Sequence, residues 1–348
     1  MTLNFSSSLF IFLFLGSRLT LADSPHYGRQ FIGFTNFSAF TNGRGESPDE
    51  SAFVSPGIAT QIKWDELVVS WNADLPKGVV LKIETRAIYP AHSTRFYTMG
   101  IWSGTAEDRR RMSVKDQKDN DAEVLTDTLA LKAPCDRVRI RLILSGAGNV
   151  PTPPLKFLGL SFADKKYEAP VLPPNRTAWG KSIAVPERSQ LDFPEGEQSW
   201  CSPTSTSMML AYWANKSNRP ELNQAVPEVA KEVFDPNWPG TGNWPFNMAY
   251  AGSFSGMRAY VSRFSDVSEL ARDGPDGHLV VCVGFTEKGD VIVNDPGTRQ
   301  QIRHVYPREN LVKAWARSQN TVYLIYPQGA NIPDDRFGHW DSCKTEYE

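Results

Sequence analysis

The chain has 348 residues, of which 41% are hydrophobic and 22% are charged, as in an ordinary globular protein, and this length predicts about two domains. The formal net charge of −2 argues against a generally nucleic-acid-binding or polybasic membrane-surface protein, because both classes need an excess of Lys and Arg. Ten tryptophans exclude a mostly disordered chain, and four cysteines are too few for a disulfide-dense scaffold.

The N-terminal residues are typical of a secretory signal. The apolar run Leu9–Leu15 is too short to span a bilayer, which needs about 20 residues. Thr20-Leu21-Ala22 then offers small residues at a cleavage site. We therefore expect residues 1–22 to be a signal peptide and the mature protein to be secreted, with no membrane segment after signal removal.

Short β-rich runs alternate with turns between residues 23 and 163. In Arg137–Leu142 apolar and cationic residues alternate strictly, which is typical of a half-buried antiparallel strand. Several such strands without a strong helix pattern predict an N-terminal all-β sandwich of jelly-roll type. The predicted strands are Leu67–Trp71, Val79–Ile88, Phe96–Trp102, Val124–Leu131, Arg137–Leu144 and Leu155–Phe162.

The tryptophans of this domain allow two interpretations. Trp64, Trp71 and Trp102 could pack in the core of the sandwich, or they could stack on the sugar rings of a polysaccharide ligand. The spacing of Cys and His fits no zinc site, and we expect neither a metal nor a cofactor.

A change of pattern marks the second domain. Residues 164–187 contain four prolines and little apolar periodicity, which predicts an extended linker. Two predicted helices, strands and a third helix follow, so that residues 188–328 are predicted to form an α+β domain and the polar residues 329–348 a loosely held tail. The helices are Ser202–Asn215, Val226–Val233 and Pro307–Ala316; the strands are Met257–Phe264, His278–Phe285, Val291–Asn294, Ile302–Tyr306 and Thr321–Tyr326.

Cys201 lies where a loop becomes a helix, and Pro203 suits the first helical turn. At such a position the unpaired N–H groups and the helix dipole stabilise a thiolate, which is the nucleophile that acyl-transfer chemistry needs. A lone cysteine is more often a small buried apolar residue. Cys201 therefore needs partners before it indicates an active site.

The hairpin that follows supplies two partners. His278 begins an apolar run, a turn follows at Glu287–Asp290, and the returning strand ends at Asp295, which would lie beside the strand bearing His278. An aspartate there can accept the imidazole N–H and stabilise the imidazolium. A capped strand with an aspartate in the turn is the alternative interpretation.

From about Val185 to Pro327 the chain resembles papain-fold cysteine peptidases related to the bacteriocin-processing, double-glycine leader peptidase family. The resemblance is carried by Gln190 and by the segments Trp200–Ser205, Gly277–Val281 and Val293–Pro296. The β-rich part resembles the accessory β-sandwich that precedes this peptidase-like domain in some secreted bacterial proteins.

This resemblance implies a papain-like domain with Cys201 as the nucleophile, His278 as the base and Asp295 as the orienting acid. It also implies that a glutamine before the cysteine donates to the oxyanion; Gln190 is the expected counterpart, and Gln198 is its rival. Three features depart from the family pattern, and one is that the spacing from the glutamine to the cysteine is longer than in the leader peptidases. Ser202 stands where a glycine is common, and residues 265–277 leave room for only a short helix where related domains usually place a helix and a further strand.

The sequence therefore predicts a secreted cysteine peptidase-like hydrolase that cleaves a peptide or amide bond of a peptide or protein substrate. One alternative is a glycan- or cell-wall-binding protein with an inactive papain-like domain. The other is a thiol-dependent acyltransferase, in which an amine replaces water as the acceptor.

Overall fold

The computed structural model describes residues 26–45, 47–108, 110–148, 153–168, 174, 176–264, 278–330 and 340–341. The predicted signal peptide, the short segment 265–277 and most of the predicted C-terminal tail lie outside the described residues.

The N-terminal part is built from β-strands, as predicted. Within its described residues five of the six predicted runs coincide with a strand, because the period-2 alternation of apolar and polar residues matches a sheet with one buried face. The strands are β1 (Arg29–Phe34), β2 (Thr41–Arg44), β3 (Glu50–Val54), β4 (Ile58–Ala73), β5 (Val80–Ala87), β6 (Tyr97–Ser103), β7 (Ala122–Leu125), β8 (Thr128–Ser145) and β9 (Leu155–Ala163).

One predicted strand is wrong, because the chain reverses its direction within it. Val124–Leu131 is a hairpin, in which β7 and β8 pair antiparallel and join through Thr126 and Asp127. Thr126 has a φ of 58°, in the left-handed region that a β-branched residue seldom adopts. The sequence Thr-Asp-Thr lacks the glycine or asparagine that normally marks such a turn.

The strands form a single hydrogen-bonded sheet of ten members, which includes β16 (Trp340–Asp341) from the C-terminal end. The long strand β8 pairs with β7 and β4 near Thr128–Ala130, and with β3 and β5 near Arg141–Ser145. Because β8 exchanges its neighbours along its length, the sheet curls. The all-β prediction is confirmed, and the two-layer sandwich stays a prediction.

The second part contains four α-helices and two smaller antiparallel sheets in its described residues. One sheet has the order β10-β12-β13-β14, and the other pairs β11 with β15. The elements are β10 (Lys181–Ser182), α1 (Cys201–Ser217), α2 (Val226–Val233), α3 (Trp244–Ser253), β11 (Met257–Arg263), β12 (Val281–Phe285), β13 (Val291–Asn294), β14 (Arg303–Tyr306), α4 (Arg308–Ala316) and β15 (Thr321–Pro327).

Helix α3 was not predicted. Asn243 caps it by accepting a hydrogen bond from the Phe246 N–H, and Pro245 lies in its first turn. Its residues from Pro245 to Gly252 are all buried, so it has no polar face and no amphipathic pattern to read. Strand β10, which lies within the predicted linker, pairs with β12, and Trp340 in the predicted tail pairs with Phe31 on β1.

A shared hydrophobic core joins the two parts. The Phe246 ring on α3 lies 6.0 Å from Trp71 and 5.3 Å from Trp102, centroid to centroid. Trp64 belongs to the same core, and all three tryptophans are buried. Their indoles therefore pack the core, and the interpretation that they stack on sugar rings is wrong.

Polar contacts also join β4 to β11 inside this core. The Asn72 Nδ2 donates to the Ala259 carbonyl oxygen (2.7 Å), and its Oδ1 accepts from the Ala259 N–H (3.1 Å). The Ser70 hydroxyl accepts from the Val261 N–H (3.3 Å). These side chains satisfy backbone groups of β11 that β15 does not reach. Arg263 on β11 adds a buried salt bridge to Glu66 on β4.

No helix in the described part of the chain is long and apolar enough to cross a bilayer.

We expect Asn72→Ala to lower the free energy of unfolding of the whole chain by about 2–4 kcal/mol, because it leaves the buried N–H and C=O of Ala259 without partners. Urea denaturation measures this change. Asn310→Ala is the matched control, since Asn310 is exposed on α4, and it should change stability by less than about 0.5 kcal/mol. Equal stability of the two variants would show that the contacts of Asn72 do not hold the two parts together.

Candidate active site

Helix α1 begins at Cys201, so the sulfur lies at the helix N-terminus as predicted. Cys201 is partly exposed, and the preceding residue, Trp200, makes no side-chain capping bond. One turn further on, the Ser205 hydroxyl donates to the Leu279 carbonyl oxygen (3.1 Å). Because residues i and i+4 share one helix face, this bond holds the segment bearing His278 against the face of α1 that carries Cys201.

The hairpin of β12 and β13 brings His278 and Asp295 together. Val281 pairs with Asn294, so the residues just outside the two strands meet at the same end of the hairpin. The His278 Nε2 lies 2.5 Å from the Asp295 Oδ1. A further side-chain hydrogen bond joins His278 to Cys201, for which Nδ1 is the remaining ring nitrogen. The imidazole thus lies between the sulfur and the carboxylate.

Two residues that the sequence did not single out hold the Asp295 carboxylate. The Gly297 N–H donates to Oδ1 (2.8 Å), and the Tyr306 hydroxyl donates to Oδ2 (2.7 Å). A Cβ at position 297 would lie 3.0 Å from the His278 ring, so this close approach favours glycine. The amino-acid sequence gives only a weak signal for Tyr306, because its place beside the carboxylate depends on the pairing of β13 with β14.

The pKa values of the pair are shifted in opposite directions. Burial by itself lowers the pKa of His278, but hydrogen bonds to Asp295 and Cys201 outweigh it and raise that pKa to about 9. Burial by itself raises the pKa of Asp295, but its bonds to His278, Tyr306 and Gly297 outweigh it and lower that pKa to about 2. At neutral pH an imidazolium therefore lies beside Cys201, and this cation stabilises a thiolate.

Gln190 and Gln198 both line the cleft that contains Cys201, but only Gln190 is fixed. Its backbone N–H donates to the Pro296 carbonyl oxygen (2.9 Å), and its Nε2 donates to the Glu197 carbonyl oxygen (2.7 Å). An amide nitrogen carries two protons, so one remains for a second acceptor. Gln190 is buried and Gln198 is exposed, which favours Gln190 as an oriented donor.

The cleft has a volume of about 740 Å³ and is bounded by both parts of the chain. Cys201 and His278 line it, as do Glu66 and the turn Leu125–Thr128 of the N-terminal sheet. Within the described residues, no group of three or more His, Cys, Asp or Glu side chains is arranged to hold a metal ion. Among these residues Cys135, Cys201 and Cys282 form no disulfide, and Cys343 lies outside them.

Comparison with known protein families gives two matches. Residues 29–163 match the Peptidase C39 N-terminal domain, and residues 182–323 match the Peptidase_C39 like family. The resemblance that the sequence motifs carry is confirmed for both parts of the chain. Neither the curated proteins nor the solved structures gave a significant match.

The ring of His278 should titrate near pH 9, which NMR of the chain labelled with ¹⁵N-histidine measures. Asp295→Asn should move this midpoint down toward the usual value near 6.5, because a neutral amide cannot stabilise the imidazolium. Since the folded pKa of His278 is the raised one, its contribution to stability is complete below about pH 6.5 and is lost as the pH rises through about 9. An unchanged midpoint in Asp295→Asn would contradict the assigned contact.

Proposed function

We propose that the protein is a secreted peptide-bond hydrolase with Cys201 as its nucleophile. Residues 182–323 match the Peptidase_C39 like family, and they follow residues 29–163, which match the Peptidase C39 N-terminal domain. The family supports a cysteine peptidase-like function. The observation that carries the proposal is the continuous arrangement of the Cys201 thiol, the His278 imidazole and the Asp295 carboxylate, with 2.5 Å between Nε2 and Oδ1.

In the proposed reaction the Cys201 thiolate attacks the carbonyl carbon of a peptide bond. The oxyanion accepts hydrogen bonds from the Cys201 backbone N–H and from Gln190. The C–N bond breaks as the His278 imidazolium gives its proton to the leaving amine, and a thioester remains on Cys201. The now neutral imidazole takes a proton from water, whose oxygen attacks the thioester. The acid product leaves, and the thiolate–imidazolium pair is restored.

Asp295 keeps the imidazole ring oriented through both half-reactions and compensates the charge of the imidazolium. We further propose that residues 188–328 have a papain-like arrangement, which is supported by a helix that carries the cysteine and an antiparallel hairpin that carries the histidine and the aspartate. The apolar run and the small residues within positions 1–22 support secretion.

The alternatives from the sequence differ from this proposal in defined ways. An inactive domain that serves a glycan-binding protein needs no thiol beside an oriented imidazole, so the arrangement at Cys201 favours an active enzyme. An acyltransferase shares the first half-reaction and differs in the acceptor. Mass spectrometry of the products formed with and without an added primary amine separates transfer from hydrolysis.

Cys201→Ala should abolish both peptide hydrolysis and covalent labelling by a peptidyl acyloxymethyl ketone, because it removes the nucleophile. Cys282→Ala is the matched control: this thiol is also partly exposed and does not line the cleft, so its loss should leave both readouts within about twofold of the wild type. Equal labelling of the Cys201→Ala variant would refute the assignment of the nucleophile.

Gln190→Ala should lower kcat by about 10²- to 10³-fold with little change in KM, as expected when one oxyanion donor is lost. The exposed Gln198 provides the comparison, and Gln198→Ala should change kcat by less than about threefold. Steady-state kinetics on one peptide substrate, with melting temperatures to check folding, measure both. A large kcat effect confined to Gln198→Ala would transfer the donor role to that residue.

A further inference from the structure

Two exposed apolar side chains lie in the cleft that contains Cys201. Among the described residues six large hydrophobic side chains are exposed, and Leu125 (52%) and Trp238 (46%) both line this cleft. Leu125 comes from the N-terminal sheet, and Trp238 comes from the loop between α2 and α3. Exposed apolar surface that is concentrated in a cleft is typical of a binding site.

The loop that carries Trp238 is held in place by a buried carboxylate. Asp235 accepts hydrogen bonds from the backbone N–H groups of Asn237 (3.1 Å) and Trp238 (3.4 Å) and from the Asn243 amide (3.0 Å). It also accepts from the backbone N–H of Ser113 in the N-terminal part (3.1 Å). The exposure of Trp238 is therefore not a consequence of a loosely attached loop.

Glycines lie next to the Trp238 ring. A Cβ on Gly240 or on Gly242 would lie 3.2 Å or 3.1 Å from atoms of the indole, so the ring rests close to the backbone of its own loop. The loop is also tied to the nucleophile, because the Thr241 hydroxyl donates to the Ser199 carbonyl oxygen (2.9 Å), two residues before Cys201. The indole is thus fixed relative to the sulfur.

The turn beside Leu125 is anchored to the same region. The buried Asp127 accepts a hydrogen bond from the backbone N–H of Trp244, the first residue of α3, at 3.0 Å. This bond crosses from the N-terminal part to the second part.

The charged side chains Glu66 and Arg263, which also line the cleft, form a salt bridge with each other. Their charges compensate one another, so this part of the wall gives no preference for a charged substrate residue.

We propose that Leu125 and Trp238 form a subsite for a large apolar side chain, aromatic or long aliphatic, of the peptide on which Cys201 acts. The N-terminal part then contributes directly to substrate recognition. This inference rests on the proposed peptidase function. Contact with an apolar substrate side chain removes both exposed side chains from water, which gives the subsite its affinity.

The test uses the full chain and a set of tripeptidyl acyloxymethyl ketones. In the reference probes every position is alanine or serine, and in the other probes phenylalanine replaces one of these residues at a time. The second-order rate of covalent labelling of Cys201, measured by mass spectrometry, should be about 10- to 100-fold higher with phenylalanine at one fixed position. Trp238→Ala and Leu125→Ser should remove most of this preference while changing the rate with the serine probe by less than about threefold.

Phe234→Ala is the matched control, because Phe234 is also an exposed aromatic side chain (45%) and does not line the cleft; this variant should keep the preference of the wild type. Iodoacetamide, which is too small to fill the subsite, reports the state of the thiol in every variant. If no reagent labels Cys201, the proposed function fails. If Cys201 reacts but shows no preference for phenylalanine, or if Trp238→Ala slows both probes equally, the subsite is overturned and the proposed function stands.

Discussion

Strand β4 belongs to the N-terminal sheet through its backbone and to the second part through its side chains. Its hydrogen bonds pair it with β8 and β9. Two of its side chains, Trp71 and Asn72, contact α3 and β11 respectively. The stability of each part therefore depends on the other, because separation would expose a shared apolar core and leave backbone groups of β11 unpaired. The two parts are matched by different family models, yet the largest hydrophobic core contains residues of both.

This dependence determines where the cleft can lie. Helix α3 packs on β4, and its first residue, Trp244, is bound by Asp127 of the β7–β8 turn. The loop that leads into α3 is tied to Ser199 just before Cys201. Hydrogen bonds and packed side chains thus fix the position of Cys201 relative to the β7–β8 turn. Within the second part, the hairpin of β12 and β13 fixes the positions of the His278 imidazole and the Asp295 carboxylate.

Local patterns predicted much of the fold. The strands of the N-terminal part and the helix after Cys201 follow from periodicity and from the position of Pro203, and the antiparallel pairing of β12 with β13 follows from the hairpin signal. The irregularity between Cys282 and Gly284, which sets the pairing of Val281 with Asn294, was not predicted. Helix α3 has no amphipathic pattern, so only Asn243 and Pro245 at its start indicate a helix, and the turn at Thr126 has no glycine to mark it. The places of Tyr306 and Trp238 depend on contacts between elements that are distant in sequence, which periodicity does not encode.

The environment of Asp127 shows that the junction between the two parts is maintained at a cost in stability. Burial raises the pKa of this carboxyl from its usual 3.8 to about 6, although the Trp244 N–H and the Thr128 hydroxyl donate to it. Because the folded protein holds the proton more tightly than the unfolded chain, stability falls as the pH rises from about 4 to about 6. At neutral pH the buried carboxylate therefore opposes folding while it binds the N-terminus of α3, where a negative charge is favourable. The same carboxylate joins the β7–β8 turn to the first residue of α3 at the wall of the cleft, so the lost stability accompanies a contact that fixes the geometry there.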